Sequence, residues 1–141
     1  MSEAFGVTNT KGTVAETIEQ TLELVAAKVG DPSDRIYARL FQAYPQFEAL
    51  FALDTDGGVR AQMLETSFDC ILGAAVGSRT ADLLLEAARL QHAEYGIGDT
   101  DIHVMFEVMR DEFRDIAGTD WTEAVERDWA HLLEDLSRMG R

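Results

Sequence analysis

The segment "IYARLFQAYPQFEALF", residues 36–51, combines an apolar stripe with a proline at its centre. The first half repeats apolar side chains every three or four residues, which is typical of one face of an α-helix. These side chains are Ile36, Tyr37, Leu40, Phe41 and Tyr44. Pro45 lacks an N–H and disfavours helical backbone in the residue before it, so the first helix should end near Tyr44 and a short one should begin at the proline. The segment therefore predicts a sharp corner between two helices.

The rest of the chain has the same helical spacing, and its only other proline is Pro32. Helices are predicted over residues 13–29, 33–44, 45–51, 59–76, 80–94 and 100–117. A last helix is predicted within residues 119–139, with Thr119, Asp120 and Thr122 as its candidate caps. The fold class is therefore all-α, with six to eight helices of unequal length. Unequal helices that turn at a proline corner cross at steep angles, and such crossings can leave a pocket between helix pairs.

Composition limits the classes of function. A chain of 141 residues with 46% apolar residues is the size of one globular domain, predicted over residues 13–139 after a flexible segment at 1–12. The net charge of −14 repels phosphate backbones and anionic lipids, so nucleic acids and membranes are not expected partners. No apolar run approaches the roughly 20 residues of a membrane span, and no secretory signal is apparent, so a cytoplasmic location is expected.

Few residue types that carry catalysis are present. The single cysteine, Cys70, lies in an apolar helical stretch and is predicted to be a buried hydrophobic residue. His103 and His131 lie one or two residues off the apolar stripes, which predicts positions at a rim or in solvent. The adjacent acidic pairs Asp111–Glu112 and Glu134–Asp135 are predicted on solvated helix faces.

His92 differs from the other histidines in its position. It lies in "LQHAEYGIGD", residues 90–99, near the end of a predicted helix and on the same face as Ala88. Spacing alone leaves two interpretations open, an interaction with the last carbonyls of the helix and a ligand role, and it favours the first. Tyr95 is expected to pack at the junction between this helix and the next loop.

Several motifs together resemble the globin family, in particular bacterial single-domain haemoglobins and the haem domains of flavohaemoglobins. In those proteins a tyrosine, a Leu-Phe pair, a corner proline and a second Leu-Phe pair follow in order. Here they are Tyr37, Leu40-Phe41, Pro45 and Leu50-Phe51. "LQHAEYGI" is similar to the segment that carries the haem ligand, and "AGTDWTEAVERDWAHLL" is similar to the start of the final helix. The resemblance covers residues 13–139 and implies a globin fold around a haem pocket.

The resemblance implies a set of residues around haem b, iron protoporphyrin IX. His92 would be the proximal iron ligand through Nε2, with Nδ1–H donating to a carbonyl about one turn earlier. Phe51 would wedge the porphyrin, and the Tyr37 hydroxyl would donate to an iron-bound ligand.

Two alignments remain open for the distal helix. A Val-x-Ala-His/Gln pattern places Gln62 over the haem, and amphipathicity places Met63 there, with Ser67 one turn further. Other residues expected at the haem are Ala88, Ile97, Ile102 and Phe106. Ile102 occupies a position at which flavohaemoglobins have a tyrosine, which weakens any expectation of peroxidase-like chemistry.

The implied function is reversible binding of dioxygen, and of nitric oxide or carbon monoxide, by a monomer or homodimer. Nitric oxide dioxygenation is a further expectation, and it would require a separate reductase because no reductase domain is present in the sequence. The alternative function is that of a globin-fold sensor or interaction module, gas-sensing or haem-free.

Overall fold

Seven α-helices follow one another along residues 10–141, the part of the chain that the computed structural model describes. They are α1 (Thr10–Val29), α2 (Ser33–Ala43), α3 (Pro45–Glu48), α4 (Gly58–Ala75), α5 (Arg79–Ala93), α6 (Asp99–Ala117) and α7 (Glu123–Arg138). Short 3-10 helices at Ala49–Phe51 and Gly118–Asp120 extend α3 and α6. Within this part of the chain there is no strand, so the predicted all-α class is confirmed.

The predicted proline corner is present. The N–H of Tyr44 donates to the carbonyl of Leu40 at 2.8 Å, which closes the last turn of α2. Pro45 is the first residue of α3, where its missing N–H costs no helical hydrogen bond. The chain therefore turns at the position that the proline predicted.

Helix ends agree with the sequence except at the first helix. Of the candidate caps Thr119, Asp120 and Thr122, it is Thr122 that caps α7, since its side chain accepts a hydrogen bond from the N–H of Val125 at 3.3 Å. The first helix begins at Thr10, earlier than the predicted start at residue 13. Residues 1–9 of the predicted flexible segment lie outside the described residues.

The core lies where α1, α4, α6 and α7 meet. Its largest fully buried side chains include Ile18, Ile71, Phe113 and Trp129, one from each of these helices. Burying a side chain of this size stabilises the fold by about 1.5–3 kcal/mol. The indole N–H of Trp129 donates to the hydroxyl of Thr21 at 3.1 Å, so the largest core residue has no unpaired polar group.

Two further helices, α2 and α5, pack on the outside of this core. α2 packs against α6, and α5 packs mainly against α4. None of the described helices combines the length and apolar character that crossing a bilayer requires.

Candidate functional site

His92 lies in the last turn of α5, where one hydrogen bond fixes its ring. Nδ1 lies 2.7 Å from the carbonyl oxygen of Ala88, one turn earlier. A carbonyl oxygen can only accept, so Nδ1 carries a proton and the neutral ring has its lone pair on Nε2. In the described part of the chain, Nε2 has no hydrogen-bond partner, and the side chain is half-buried. The ring therefore has the donor chemistry of a nitrogen ligand to a metal.

α4 and α5 contact each other closely near the turn that joins them. A Cβ added to Gly73 would lie 2.8 Å from the Cβ of Ala81, so a larger residue at 73 would push the two helices apart. Gln62 precedes Gly73 by eleven residues and His92 follows Ala81 by eleven. At 1.5 Å of rise per residue, both lie about 16 Å along their helices from this contact. His92 and the first turns of α4 therefore lie at the ends of their helices that are remote from this contact.

Three aromatic rings form a cluster where α2 meets the segment after the proline corner. The ring of Tyr37 lies 5.7 Å from that of Phe41 and 5.8 Å from that of Phe51, and Phe41 and Phe51 are 5.7 Å apart. Tyr37 is buried, whereas both phenylalanines are only partly buried. The structure therefore brings Tyr37 and Phe51 together, and it records no hydrogen bond or ring contact between His92 and this cluster.

The hydroxyl of Tyr37 is already engaged. It donates to the carbonyl oxygen of Arg60, in the first turn of α4, at 2.8 Å. Burial raises the pKa of this phenol well above its usual value, so the group remains a donor at every physiological pH. The arrangement corresponds to a core tyrosine bonded to a neighbouring carbonyl.

Asp54 organises the start of α4, a role that sequence reasoning missed. Its buried carboxylate accepts the backbone N–H groups of Val59 and Arg60 at 3.0 Å each, and the Arg60 Nε at 3.1 Å. These hydrogen bonds, led by the one from Val59, hold the pKa of Asp54 below its usual range. A carboxylate that accepts helix N-terminal N–H groups is a recognisable capping signal, but here it lies four residues before the helix. The carbonyl that receives Tyr37 is fixed by this cap.

The candidates on α4 differ in burial. Gln62 is exposed and its Nε2 donates to the Thr66 hydroxyl at 3.4 Å, whereas Met63 is half-buried. Ser67 is buried, and its hydroxyl donates to the Met63 carbonyl at 2.8 Å. Gln62 and Met63 thus both remain candidates, one as a surface amide and one as an apolar contact.

The remaining predicted residues lie around the end of α5 and the start of α6. Ala88, Ile97 and Ile102 are half-buried and Phe106 is buried. The N–H of Ile97 donates to the carbonyl of His92 at 3.1 Å, so the loop after α5 folds back on that helix. These apolar side chains lie on the sequence segments that flank His92.

Cys70 and the other two histidines lie as the sequence predicts, whereas Tyr95 does not. Cys70 is buried as predicted, and burial raises its pKa to about 11. His131 is exposed and His103 is half-buried, in agreement with positions in solvent and at a rim. The packing role expected for Tyr95 is wrong, because 73% of its surface is exposed.

The prediction that Glu112 lies on a solvated face is also wrong. Only 8% of its side chain is exposed, and its two oxygens accept hydrogen bonds from the Nε atoms of Arg35 and Arg39 at 2.8 Å each. Glu112 follows the buried Met109 by three residues, so helical periodicity marked this position as inward-facing. The two arginines on α2 make the burial of a charge tolerable.

Two surface cavities lie elsewhere. One of about 410 Å³ is lined by residues that include Ala74, Arg79 and Asp135, and one of about 210 Å³ by residues that include Arg89, His103 and Arg141. His92, Tyr37 and Phe51 line neither. Among the described residues, no three His, Cys, Asp or Glu side chains group as ligands for a bare metal ion.

Comparison with known proteins adds nothing to this description: no protein-family model, curated protein or solved structure matches the chain.

Proposed function

We propose that this chain is a globin that binds haem b through His92 and uses it to bind dioxygen reversibly. The observation that carries the proposal is the 2.7 Å contact between Nδ1 of His92 and the Ala88 carbonyl. It directs the lone pair to Nε2, the nitrogen that ligates haem iron in proteins with a proximal histidine. The resemblance of residues 36–51 and 90–97 to globin segments supports the same function.

Apolar side chains close to His92 in the sequence support the binding of an apolar group. Ala88, Ile97 and Ile102 offer half-buried apolar surface close to His92 in the sequence, and Phe51 offers a partly buried ring. A porphyrin requires apolar walls with few polar groups, and the apolar type of these side chains supports the proposal. When bound, the haem would supply iron with a coordination position for a diatomic ligand.

Tyr37 is the proposed donor to that ligand, with Gln62 or Met63 as its neighbour on α4. The hydroxyl donates to the Arg60 carbonyl in the structure. Its role at the ligand requires that it exchange this acceptor, because a hydroxyl has only one proton to donate. This exchange makes the role of Tyr37 testable separately from that of His92.

Absorption spectroscopy of the reconstituted chain tests the proposal. The wild type should bind haem at one per chain and give a Soret band that shifts on reduction and again on addition of carbon monoxide. His92→Ala should lose this five-coordinate spectrum because the Nε2 ligand is gone. His131→Ala is the matched control, since His131 is also helical but exposed, and its spectrum should equal that of the wild type.

Either of two results would contradict the proposal. One is a wild-type chain that folds, as judged by circular dichroism, but takes up no haem; that result would favour a haem-free interaction module. The other is a His92→Ala spectrum that cannot be distinguished from the wild-type spectrum.

A further inference from the structure

α5 has an apolar stripe on the side opposite its core contacts. Ala81 and Leu85 are fully buried on one face of the helix. Leu83 and Leu90 lie on the other face, seven residues and therefore two turns apart, and they are 49% and 70% exposed. The small residue Ala87 lies between them and is also exposed. This stripe, Leu83–Ala87–Leu90, has no partner in the described chain.

Charged residues flank the apolar stripe at its two ends. Arg79 is exposed one turn before Leu83, and Glu94 is exposed one turn after Leu90. In the part of the chain that the structure describes, neither side chain forms an ion pair. The face therefore carries a positive end, an apolar middle and a negative end.

This order is self-complementary when two copies of α5 lie antiparallel. With a two-fold axis between residues 86 and 87, Leu83 of one copy faces Leu90 of the other, since the residue numbers in each facing pair then sum to the same value. The same relation places Arg79 opposite Glu94 at both ends of the helix pair. The leucines of one copy thus face the leucines of the other, and opposite charges face each other at the two ends of the helix pair.

We propose that the Leu83–Ala87–Leu90 stripe is a docking surface for a second copy of this chain. A single pair of helices buries a small interface, and each chain carries a net charge of −14, so the dimer is weak and reversible. His92 lies on the side of α5 that faces away from the stripe, so docking leaves the proposed haem site open. The proposal does not depend on haem.

Glu86 predicts a specific property of this dimer. It is exposed beside Ala87, next to the two-fold axis, so the two copies of Glu86 approach each other. Like charges at such a position weaken association, and removing the charge should strengthen it. Glu86→Gln is therefore expected to lower the dimer Kd, by about threefold.

Sedimentation equilibrium of the full chain, run without haem, tests the docking surface. Leu83→Asp and Leu90→Asp should each raise the dimer Kd on the order of a hundredfold, because each substitution affects two symmetric contacts. Leu53→Asp is the control, since Leu53 is 95% exposed and lies outside the stripe, and it should leave the Kd unchanged.

Charge reversal distinguishes this antiparallel pairing from non-specific apolar association. Arg79→Glu and Glu94→Arg should each weaken the dimer about tenfold, and the double variant should recover most of the wild-type affinity. A wild-type chain that remains monomeric at concentrations up to about 1 mM would overturn the proposal. A dimer that is insensitive to Leu83→Asp and Leu90→Asp, or a double charge reversal without recovery, would overturn it equally. None of these outcomes bears on haem binding, so this proposal and the haem proposal can fail independently.

Discussion

The hydroxyl of Tyr37 has two candidate acceptors. One is the Arg60 carbonyl, to which it donates in the structure, and the other is the proposed diatomic ligand of the haem iron. The first holds α2 against the start of α4, because the Asp54 carboxylate fixes Arg60 in place. A neutral hydrogen bond of this kind contributes about 1 kcal/mol to folding. The second would slow ligand release and would leave folding stability unchanged. The two roles therefore predict different measurements on the same variant.

Tyr37→Phe should lower the free energy of unfolding of the haem-free chain by about 1 kcal/mol, since the Arg60 carbonyl loses a buried donor. In the haem-loaded chain it should keep the Soret band and release dioxygen at least about tenfold faster. Urea titration measures the first effect and stopped-flow displacement by carbon monoxide the second. Tyr44→Phe is the control: its ring stacks on Phe47 at 5.5 Å, and its hydroxyl has no recorded partner among residues 10–141. An unchanged rate of dioxygen release would mean that Tyr37 stabilises the fold and does not donate to the bound ligand.

Glu112 joins two helices that are far apart in the sequence. Its carboxylate bridges Arg35 and Arg39 of α2 to α6, and Arg39 also pairs with Asp115. The side chain of Glu112 is buried, whereas the side chains of the two arginines remain partly exposed. Removing the carboxylate therefore takes away two charge-assisted hydrogen bonds and leaves cations that water can still solvate.

Glu112→Ala should lower the free energy of unfolding by about 2–3 kcal/mol, measured by urea titration at pH 7. Glu134→Ala is the matched control, because Glu134 pairs with Arg138 at 3.5 Å on an exposed face and such a pair contributes less than about 0.5 kcal/mol. Equal losses in the two variants would show that the Glu112 bridge contributes no more than a surface ion pair.

The helices could be predicted from the sequence because burial repeats every three or four residues and because proline and glycine mark the ends. The contact between Tyr37 and Phe41 follows from their spacing of four on one helix. The contact with Phe51 depends on the path of the chain after the proline corner, which local spacing does not specify. The Glu112 bridge was missed because its partners are 73 and 77 residues away, and only packing of α2 on α6 brings them together. Charge alone then suggested a solvated position.

Two kinds of electrostatic effect act across the chain as a whole, and they place the pH of maximum stability differently. Repulsion within a chain of net charge −14 decreases as the pH approaches the isoelectric point near 4.4, which would place the maximum there. The shifted pKa values of individual groups instead place the maximum of stability at higher pH. Burial lowers the pKa of His103 below 6.5, and hydrogen bonds lower the pKa values of Asp54 and Asp99 below their usual range. Burial raises the pKa of Cys70 from 9.0 to about 11.

These shifts predict a plateau of stability between about pH 6.5 and 9. Below the plateau the unfolded chain binds a proton at His103 that the folded chain does not bind, so the free energy of unfolding decreases. It decreases further as the pH falls through the lowered pKa values of Asp54 and Asp99. Above the plateau the unfolded chain loses a proton at Cys70 that the folded chain keeps, so stability falls from pH 9 towards 11. Urea titrations from pH 3 to 10 should show this profile. His103→Gln should flatten its acid shoulder and Cys70→Ala its alkaline shoulder, with His131→Gln as the control substitution at an exposed histidine. A maximum near pH 4.4 would mean that repulsion between like charges outweighs these individual pKa shifts.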